Sequence, residues 1–330
     1  MQKRKVCVIG GGTGTVAVLN GLKHEKNLDL SVIVSMTDDG GSNKILRDEF
    51  GLLPLSDLRK SIVALSRTGN GIFRELFVYR FAKGDGLSGH TLGNLIMTAL
   101  TELTGSEQGA IDAASKIFDV AGKIIPVTYG HAKLAAKYGD GSNVHGEHLI
   151  DEPELASQHR ILELFLVPKV KANPAALQAI AEADYLVIGP GDLYTSLLAN
   201  IIIDKVPEAI KNSKAKIILV TNLMSKRGQT QWMTMQDFVN EMERYSTRRP
   251  DIVLINNLKP SEAILKKYAS EGDFPFNDDV DDSKYEKVVR TPLMALDEIK
   301  REKGDTLARS LVRHDEEKLS KTLLELFKKF

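Results

Sequence analysis

Short apolar runs alternate along this chain with segments whose apolar residues recur at helical spacing. The runs over 5–9 and 30–35 are continuous and rich in β-branched residues, as is typical of strands that are covered on both faces. Helical spacing follows the first run at Val16, Leu19 and Leu22. Because strands and helices alternate in this way, we predict an α/β fold built on one open, doubly wound, mostly parallel sheet.

The same patterns extend the prediction to the rest of the chain. Further strands are expected at 123–128, 143–150, 163–170, 184–188, 216–220 and 251–255, and further helices at 73–81, 111–118, 174–182, 236–244 and 262–268. No repeat, low-complexity tract or linker interrupts the chain, so we treat 1–330 as a single domain. The polar, acidic stretch at 271–287 predicts a surface excursion. The segment 315–330 predicts an amphipathic helix, with acids in its first turn and lysines in its last.

Composition narrows the classes of function. The chain has 330 residues, 42% apolar and 27% charged, which is ordinary for a soluble globular protein. It carries 44 residues of each charge sign, so it lacks the basic excess that a nucleic-acid partner would need. The single cysteine, Cys7, excludes an intrachain disulfide and a thiolate metal cluster. No signal-peptide pattern and no membrane span of about 20 apolar residues is present, so we expect a cytoplasmic protein.

The first strand ends in the glycine cluster 10–14, directly before the first helix. Glycines let a backbone approach an anion closely, and the N–H groups at a helix start favour negative charge. We therefore expect a phosphorylated ligand, above all a nucleotide, over this turn. The dinucleotide fingerprint G-x-G-x-x-G fits poorly, because Thr15 falls at the third glycine, and this argues against a nicotinamide-dependent oxidoreductase. A tight strand-to-helix turn without a ligand remains the alternative.

A second glycine-bearing turn follows the strand predicted at 184–188. Ligands of doubly wound sheets lie at the carboxyl ends of the strands. The polar strand exits at 11–14, 38–42, 189–195 and 221–222 should therefore converge. Two of them are glycine turns that enter helices, which suits a diphosphate or a sugar nucleotide.

Three acids near these turns are candidates for binding ribose or a metal ion: Asp38, Asp39 and Asp57. Mg²⁺ typically takes one or two carboxylates together with waters and phosphate oxygens. The alternative for Asp38 and Asp39 is a solvated turn in which they cap backbone N–H groups. The alternative for Asp57, and for Asp192 in the second turn, is charge that complements a helix start.

The histidines give weaker indications. His145 and His148 would face opposite sides of the predicted strand, so a zinc site is not expected there. His90 precedes a helix within a glycine-rich loop and is a site candidate. Its alternative is a loop histidine that bonds to the backbone.

Seven short motifs occur in a fixed order along the chain. They are Gly-Gly-Thr-Gly at 11–14, Thr-Asp-Asp-Gly-Gly-Ser at 37–42, Asp-Leu-Arg at 57–59, Gly-His-Thr-Leu-Gly-Asn-Leu at 89–95, Gly-Pro-Gly-Asp-Leu-Tyr-Thr-Ser at 189–196, Asn-Leu-Met at 222–224 and Arg-His-Asp at 313–315. Together they resemble the YvcK/CofD family over nearly the whole chain. The motif at 89–94, Gly-Glu at 146–147, the segment 268–272 and the ending at 313–315 look more like the YvcK, or gluconeogenesis-factor, branch.

The resemblance implies a Rossmann-like three-layer α/β/α sandwich. It also implies a cytoplasmic regulator that binds UDP-sugars such as UDP-N-acetylglucosamine and links gluconeogenic carbon metabolism to cell-wall and cell-shape homeostasis. The resemblance implies that this binding requires no cofactor, and that no catalytic activity is firmly attached to this branch. The other branch implies Mg²⁺-dependent transfer of a phospholactyl group to a deazaflavin, with Asp38, Asp39 and Asp57 as the metal candidates. Protein partners and the oligomeric state, a homo-oligomer included, stay open.

The expected ligand-binding residues come from the four strand exits and from the family motifs, and catalytic residues are not assigned. They are Gly11, Gly12, Thr13, Gly14, Asp38, Asp39, Ser42, Asp57, His90, Asn94, Gly191, Asp192, Tyr194, Thr195, Asn222, Tyr268 and Arg313. Tyr268 and Arg313 enter by resemblance alone. The chain departs from the family pattern at 43–45, at 55–56, at 236–237, and at Arg227, where the family has a proline after Asn-x-Met-Thr-Gln. These changes bear on the ligand's identity more than on the fold.

Overall fold

A computed structural model of the chain describes residues 3–40, 53–67, 71–84, 86–151, 159–296 and 311–330. Its strands are β1 (Arg4–Gly10), β2 (Leu28–Val34), β3 (Lys123–Pro126), β4 (Lys133–Tyr138), β5 (Asn143–His145), β6 (Ile161–Val167), β7 (Tyr185–Ile188), β8 (Lys216–Val220), β9 (Ile252–Asn256) and β10 (Lys287–Thr291). Its α-helices are α1 (Gly12–Leu22), α2 (Ser56–Leu65), α3 (Ile72–Val78), α4 (Leu92–Thr104), α5 (Glu107–Ile117), α6 (Glu147–Asp151), α7 (Pro174–Glu182), α8 (Ala199–Ile201), α9 (Val206–Asn212), α10 (Met235–Ser246), α11 (Glu262–Glu271) and α12 (Glu316–Lys329). Among the helices of these ranges, none has the length and apolar character needed to cross a membrane.

Seven strands form the main sheet, in the order β10-β9-β8-β7-β1-β2-β3. Every neighbouring pair is parallel, and the central register sets Val8 opposite Val32 on one side and Val187 on the other. The chain builds outward from β1 in one direction and then, from β7 onward, in the other. The gap between β1 and β7 is therefore the topological switch point, where such sheets bind ligands. The predicted doubly wound α/β fold is confirmed.

Helices cover both faces of this sheet. Alternate residues of a strand point to opposite faces, so Val8 joins the core under α1, α2, α4, α5 and α12. Ile9 joins the core under α7, α9 and α10. The sheet thus lies between two layers, and the carboxyl ends of its strands remain at one edge.

A second sheet lies on the face that Ile9 occupies. It is antiparallel, has three strands in the order β5-β4-β6, and contributes Leu134 and Leu164 to the same core. The predicted strand at 143–150 is confirmed only over 143–145, as β5, because Gly146 turns the chain with a φ of 119° and α6 begins at once. Strand β4 was not predicted, since Leu-Ala-Ala-Lys-Tyr lacks the β-branched residues that are typical of strands.

Three further segments complete the fold. The stretch that follows α11 is largely exposed, but Val280 and Tyr285 are buried against α10 before β10 begins. Helix α12 is capped by Asp315, whose carboxylate accepts the N–H groups of Glu317 and Lys318. Between α7 and α9, a π-helical segment, Leu193–Leu198, continues the turn that follows β7.

Candidate functional site

The glycine turns after β1 and β7 pack against each other at the switch point. A Cβ atom added to Gly191 would lie 3.5 Å from the Gly11 carbonyl oxygen. One added to Gly14 would lie only 2.4 Å from the carbonyl oxygen of Pro190. The turns after β2 and β8 flank this pair, because those strands are the next neighbours in the sheet. The structure therefore brings the four polar strand exits together at one edge, as far as residue 40 for the exit of β2.

The first turn of α1 already holds one anionic group. The Gly12 N–H donates to Asp57 Oδ1 at 3.2 Å, and the Lys60 ammonium donates to the same oxygen at 2.8 Å. Burial alone would lower the pKa of Lys60, but the Asp57 carboxylate outweighs this effect and raises it. Asp57 thus complements the helix start, as its alternative interpretation proposed.

Two backbone donors of the same turn stay available. The N–H groups of Thr13 and Gly14 make no hydrogen bond to any residue in the described ranges, and the Thr13 side chain is exposed. Helix α1 has no capping side chain at its N-cap residue, Gly11. Unpaired donors at a helix start favour an anion. This turn can therefore accept a second negatively charged group beside Asp57.

The second turn is held by side chains from β8 and its exit. The Gly191 N–H donates to Asn222 Oδ1 at 3.2 Å. Asp192 Oδ2 accepts the Lys226 ammonium at 2.8 Å. The Gly191 N–H is thus already bonded to Asn222, so this turn can meet a ligand through the side chains of Asp192 and Lys226.

Lys226 also binds Asp151, the last residue of α6. Asp151 Oδ1 further accepts the Thr195 hydroxyl and the Gln229 amide, each at 3.1 Å. Burial alone would lower the pKa of Lys226, but the carboxylates of Asp192 and Asp151 raise it, so the ammonium stays charged. This cluster ties α6, the π-helical segment and the loop after β8 into one unit.

The exit of β2 meets the start of α6. Asp39 Oδ1 lies 2.8 Å from His148 Nδ1 and accepts the His148 N–H at 3.0 Å. The Thr37 hydroxyl donates to Glu147, and Asp38 accepts the Gly40 N–H at 3.0 Å. His148 therefore serves as the partner of Asp39, and α6 adds a carboxyl group to this edge.

Negative charge accumulates at this edge of the sheet. Burial raises the pKa of Asp38, and the neighbouring Asp57 adds to the effect. Burial, followed by the charge of Asp38, raises the pKa of Glu147 well above its ordinary value. Within the described ranges, no group of three or more His, Cys, Asp or Glu side chains is placed to hold a metal ion. Mg²⁺ itself takes only one or two carboxylates beside waters and phosphate oxygens, so Asp38 and Asp57 stay candidates for holding it together with a bound phosphate.

Other predicted residues have structural partners. Asn94 is buried and accepts Arg59 Nε at 3.1 Å, and Arg59 lies two residues from Asp57 on α2. His90 is buried, with its backbone bonded to Phe81 and Leu87. Tyr194 is fully buried in the core, and its hydroxyl donates to Glu241 at 3.0 Å. Ser42 lies outside the described residues.

Tyr268 and Arg313 lie on the β8 side of the site. Tyr268 is buried with Met224 and Met294 in a small apolar cluster that follows the β8 exit, and its hydroxyl accepts the Val312 N–H at 3.1 Å. Arg313 follows Val312 in the chain, and its backbone carbonyl accepts the Ala295 N–H at 2.9 Å. These residues flank the strand exits and do not lie within the paired turns.

Several residues of the site were not predicted: Lys60, Asp151, Lys226 and Gln229. Lys226, Asp151 and Gln229 reach the site through partners distant in sequence, as Lys226 and Asp151 show with a separation of 75 positions, whereas Lys60 binds Asp57 three residues away on the same helix. In this set, Asp151 has a sequence signal nearby: the Gly-Glu pair at 146–147, which resembles the family pattern and begins the same helix.

A family model described as 2-phospho-L-lactate transferase CofD matches residues 6–294 of the chain. The chain belongs to the CofD family. Among its relatives in this family, the gluconeogenesis factor of Bacillus subtilis is 36% identical over 329 residues, which cover 99% of each protein. That of Listeria innocua is 41% identical over 265 residues, which cover 80% of each protein. The crystal structure of protein BH3568 from Bacillus halodurans matches with a TM-score of 0.86 and 34% identity, over 98% of this chain and 100% of that one.

Proposed function

We propose that this CofD-family protein binds a nucleotide sugar of the UDP-N-acetylglucosamine type. We further propose that it acts as a regulator that links gluconeogenic carbon metabolism to cell-wall and cell-shape homeostasis. The observation that carries the proposal is the pair of turns at the switch point, with the Thr13 and Gly14 N–H groups available at the start of α1. The names of relatives such as the Bacillus subtilis gluconeogenesis factor support the link to gluconeogenic carbon metabolism, and the cell-wall and cell-shape part rests on the family resemblance alone.

Each part of such a ligand has a chemical counterpart at this edge. The diphosphate suits the start of α1, where backbone donors and the Lys60 and Lys226 ammonium groups lie nearby. Ribose and sugar hydroxyls suit the carboxylates of Asp38 and Asp39, because a carboxylate accepts hydrogen bonds from hydroxyl groups. Family resemblance adds Tyr268 and Arg313 as further contacts to the nucleotide sugar.

Isothermal titration calorimetry with UDP-N-acetylglucosamine tests the proposal. We expect binding by the wild-type chain and intact ligand after incubation. Asp38→Asn or Arg313→Ala should weaken affinity about tenfold or more, since a hydrogen bond to a charged group contributes roughly 1.5–3 kcal/mol. Arg249→Ala is the matched control, because that side chain pairs with Glu243 at the exposed surface.

The melting temperature of the free Asp38→Asn and Arg313→Ala variants should stay near that of the wild type. No heat at millimolar ligand with folded protein would refute the proposal. A large loss of stability with unchanged binding would show instead that Asp38 and Arg313 are structural.

A second candidate is Mg²⁺-dependent transfer of a phospholactyl group to a deazaflavin. Two observations favour it: the family model's description, and the pKa values of Asp38 and Glu147, which burial and then neighbouring carboxylates raise and which a divalent cation would lower. Incubation with Mg²⁺, an activated phospholactyl donor and the deazaflavin should then give the transfer product. Absence of product under these conditions would rule out this candidate.

A further inference from the structure

The Lys226 side chain crosses from the loop after β8 to the turn after β7. Its ammonium lies 2.8 Å from Asp192 Oδ2 and also contacts Asp151. The side chain is 23% exposed, so most of it is buried while part of it still faces solvent. The charged group is therefore held in place at the rim of the candidate site.

One donor of this ammonium is not committed. A lysine ammonium carries three N–H donors, and the two carboxylates account for two of them. The third has no partner among the described residues. The raised pKa of Lys226 keeps the group charged at neutral pH, so the third donor is a charged one.

The position of Asp192 places this charge beside the paired turns. Asp192 directly follows Gly191, and a Cβ on Gly191 would lie 3.2 Å from the Ser196 Cβ and 3.5 Å from the Gly11 carbonyl oxygen. Lys226 thus flanks the turns from the β7 side, while Lys60 lies beside Gly12 through Asp57. A diphosphate over the two turns would meet a lysine on each side.

The carboxylates of Asp151 and Asp192 would repel an anionic ligand if the Lys226 ammonium did not offset their charge. Asp151 and Asp192 would face the ligand as two carboxylates if Lys226 were absent, and like charges at close range repel. Lys226 therefore offsets repulsion and supplies a donor. Reduced repulsion and an added charged donor both act on the diphosphate and leave the binding of the uncharged nucleoside unchanged.

We propose that Lys226 is a specificity-determining residue, whose third N–H binds the diphosphate and thereby selects a nucleoside diphosphate sugar over the nucleoside alone. This inference rests on the proposed function. The variants that test it are Lys226→Gln, which removes the charge, and Lys226→Arg, which keeps it. Lys205→Gln is the matched control, because Lys205 is exposed and pairs only with Glu208 among the described residues.

Calorimetry with UDP-N-acetylglucosamine and with uridine measures the selection, and uridine affinity is obtained by displacement where direct heat is small. Lys226→Gln should lose about ten- to hundred-fold in affinity for UDP-N-acetylglucosamine, as expected for a charge-assisted hydrogen bond. Its uridine affinity should match the wild type. Lys226→Arg should retain the preference for the diphosphate ligand, and Lys205→Gln should behave as wild type.

Lys226→Gln removes the cationic partner of both Asp151 and Asp192, so the double variant Asp151→Asn/Lys226→Gln provides a comparison with one carboxylate fewer. Suppose that a variant melts as the wild type does and loses affinity equally for both ligands, or for neither. This result would overturn the inference about Lys226 and leave the proposed function standing. Failure of the wild-type chain to bind UDP-N-acetylglucosamine would instead overturn the proposed function, and the inference with it.

Discussion

The contact between Gly14 and Pro190 gives the sharpest structural prediction. Gly14 lies in the first turn of α1, and the turn after β7 crosses directly over it. In Gly14→Ala the new Cβ would lie 2.4 Å from the Pro190 carbonyl oxygen, 2.8 Å from its carbonyl carbon and 3.1 Å from its Cγ. The closest of these atoms belong to the backbone, so no rotamer change relieves the contact. The two turns must separate, and the site changes shape.

The magnitude follows from two opposing effects. Overpacking of a tight contact costs typically about 1–3 kcal/mol. Alanine in place of glycine in a helix gains up to roughly 1 kcal/mol, and less near a helix start. The expected net loss is therefore about 1–2 kcal/mol in the free energy of unfolding, together with weaker binding of UDP-N-acetylglucosamine.

Urea unfolding followed by circular dichroism, with calorimetry for the ligand, measures both effects of Gly14→Ala. Gly139→Ala is the control, because its new Cβ would meet the His159 Cβ at an ordinary 3.6 Å. The control should unfold as the wild type does or slightly later. If Gly14→Ala keeps both the wild-type unfolding midpoint and the wild-type affinity, the close packing of the two turns is not a feature of the protein.

Two further predictions concern buried titratable groups. Burial and the charge of Asp38 raise the pKa of Glu147 in the folded state. The free energy of unfolding therefore falls as the pH rises through that folded-state pKa. Glu147→Gln should have a higher melting temperature than the wild type at pH 8, and the difference should be smaller at pH 5. An equal advantage at both pH values would contradict this cause. Burial lowers the pKa of His314 to about 4 in the folded state. Between pH 6.5 and 4 the unfolded state therefore binds a proton that the folded state does not bind. The free energy of unfolding should fall by about 3 kcal/mol as the pH drops across that range. His314→Gln should flatten this part of the acid-unfolding curve, and an unchanged slope would show that other groups cause it.

Six strands of the main sheet were predictable because they are continuous apolar runs, whereas the edge strand β10, in which Lys287 and Arg290 flank a pair of valines, was not predicted. Residues 30–35 and 216–220 carry Val, Ile and Leu at four positions each, which suits a strand covered on both faces. The small antiparallel sheet was not predictable in the same way. Strand β4 has alanines where β-branched residues are usual, and Gly146 decides between strand and helix through a single positive φ.

The position of the site followed from topology, but its electrostatics did not. Strand order alone places the exits of β1 and β7 side by side. The Asp57 carboxylate at the start of α1 comes from 45 residues away, and Lys226 meets Asp151 across 75. Such pairs leave no local pattern, because each half is an ordinary charged residue until the fold brings the two together.

The central claim is that a nucleotide sugar places its diphosphate over the paired turns after β1 and β7. A crystal structure of the chain with UDP-N-acetylglucosamine tests this most directly. We predict phosphate oxygens within hydrogen-bonding distance of the Thr13 or Gly14 N–H and of the Lys226 ammonium. A fully occupied ligand whose diphosphate contacts neither turn would contradict the account.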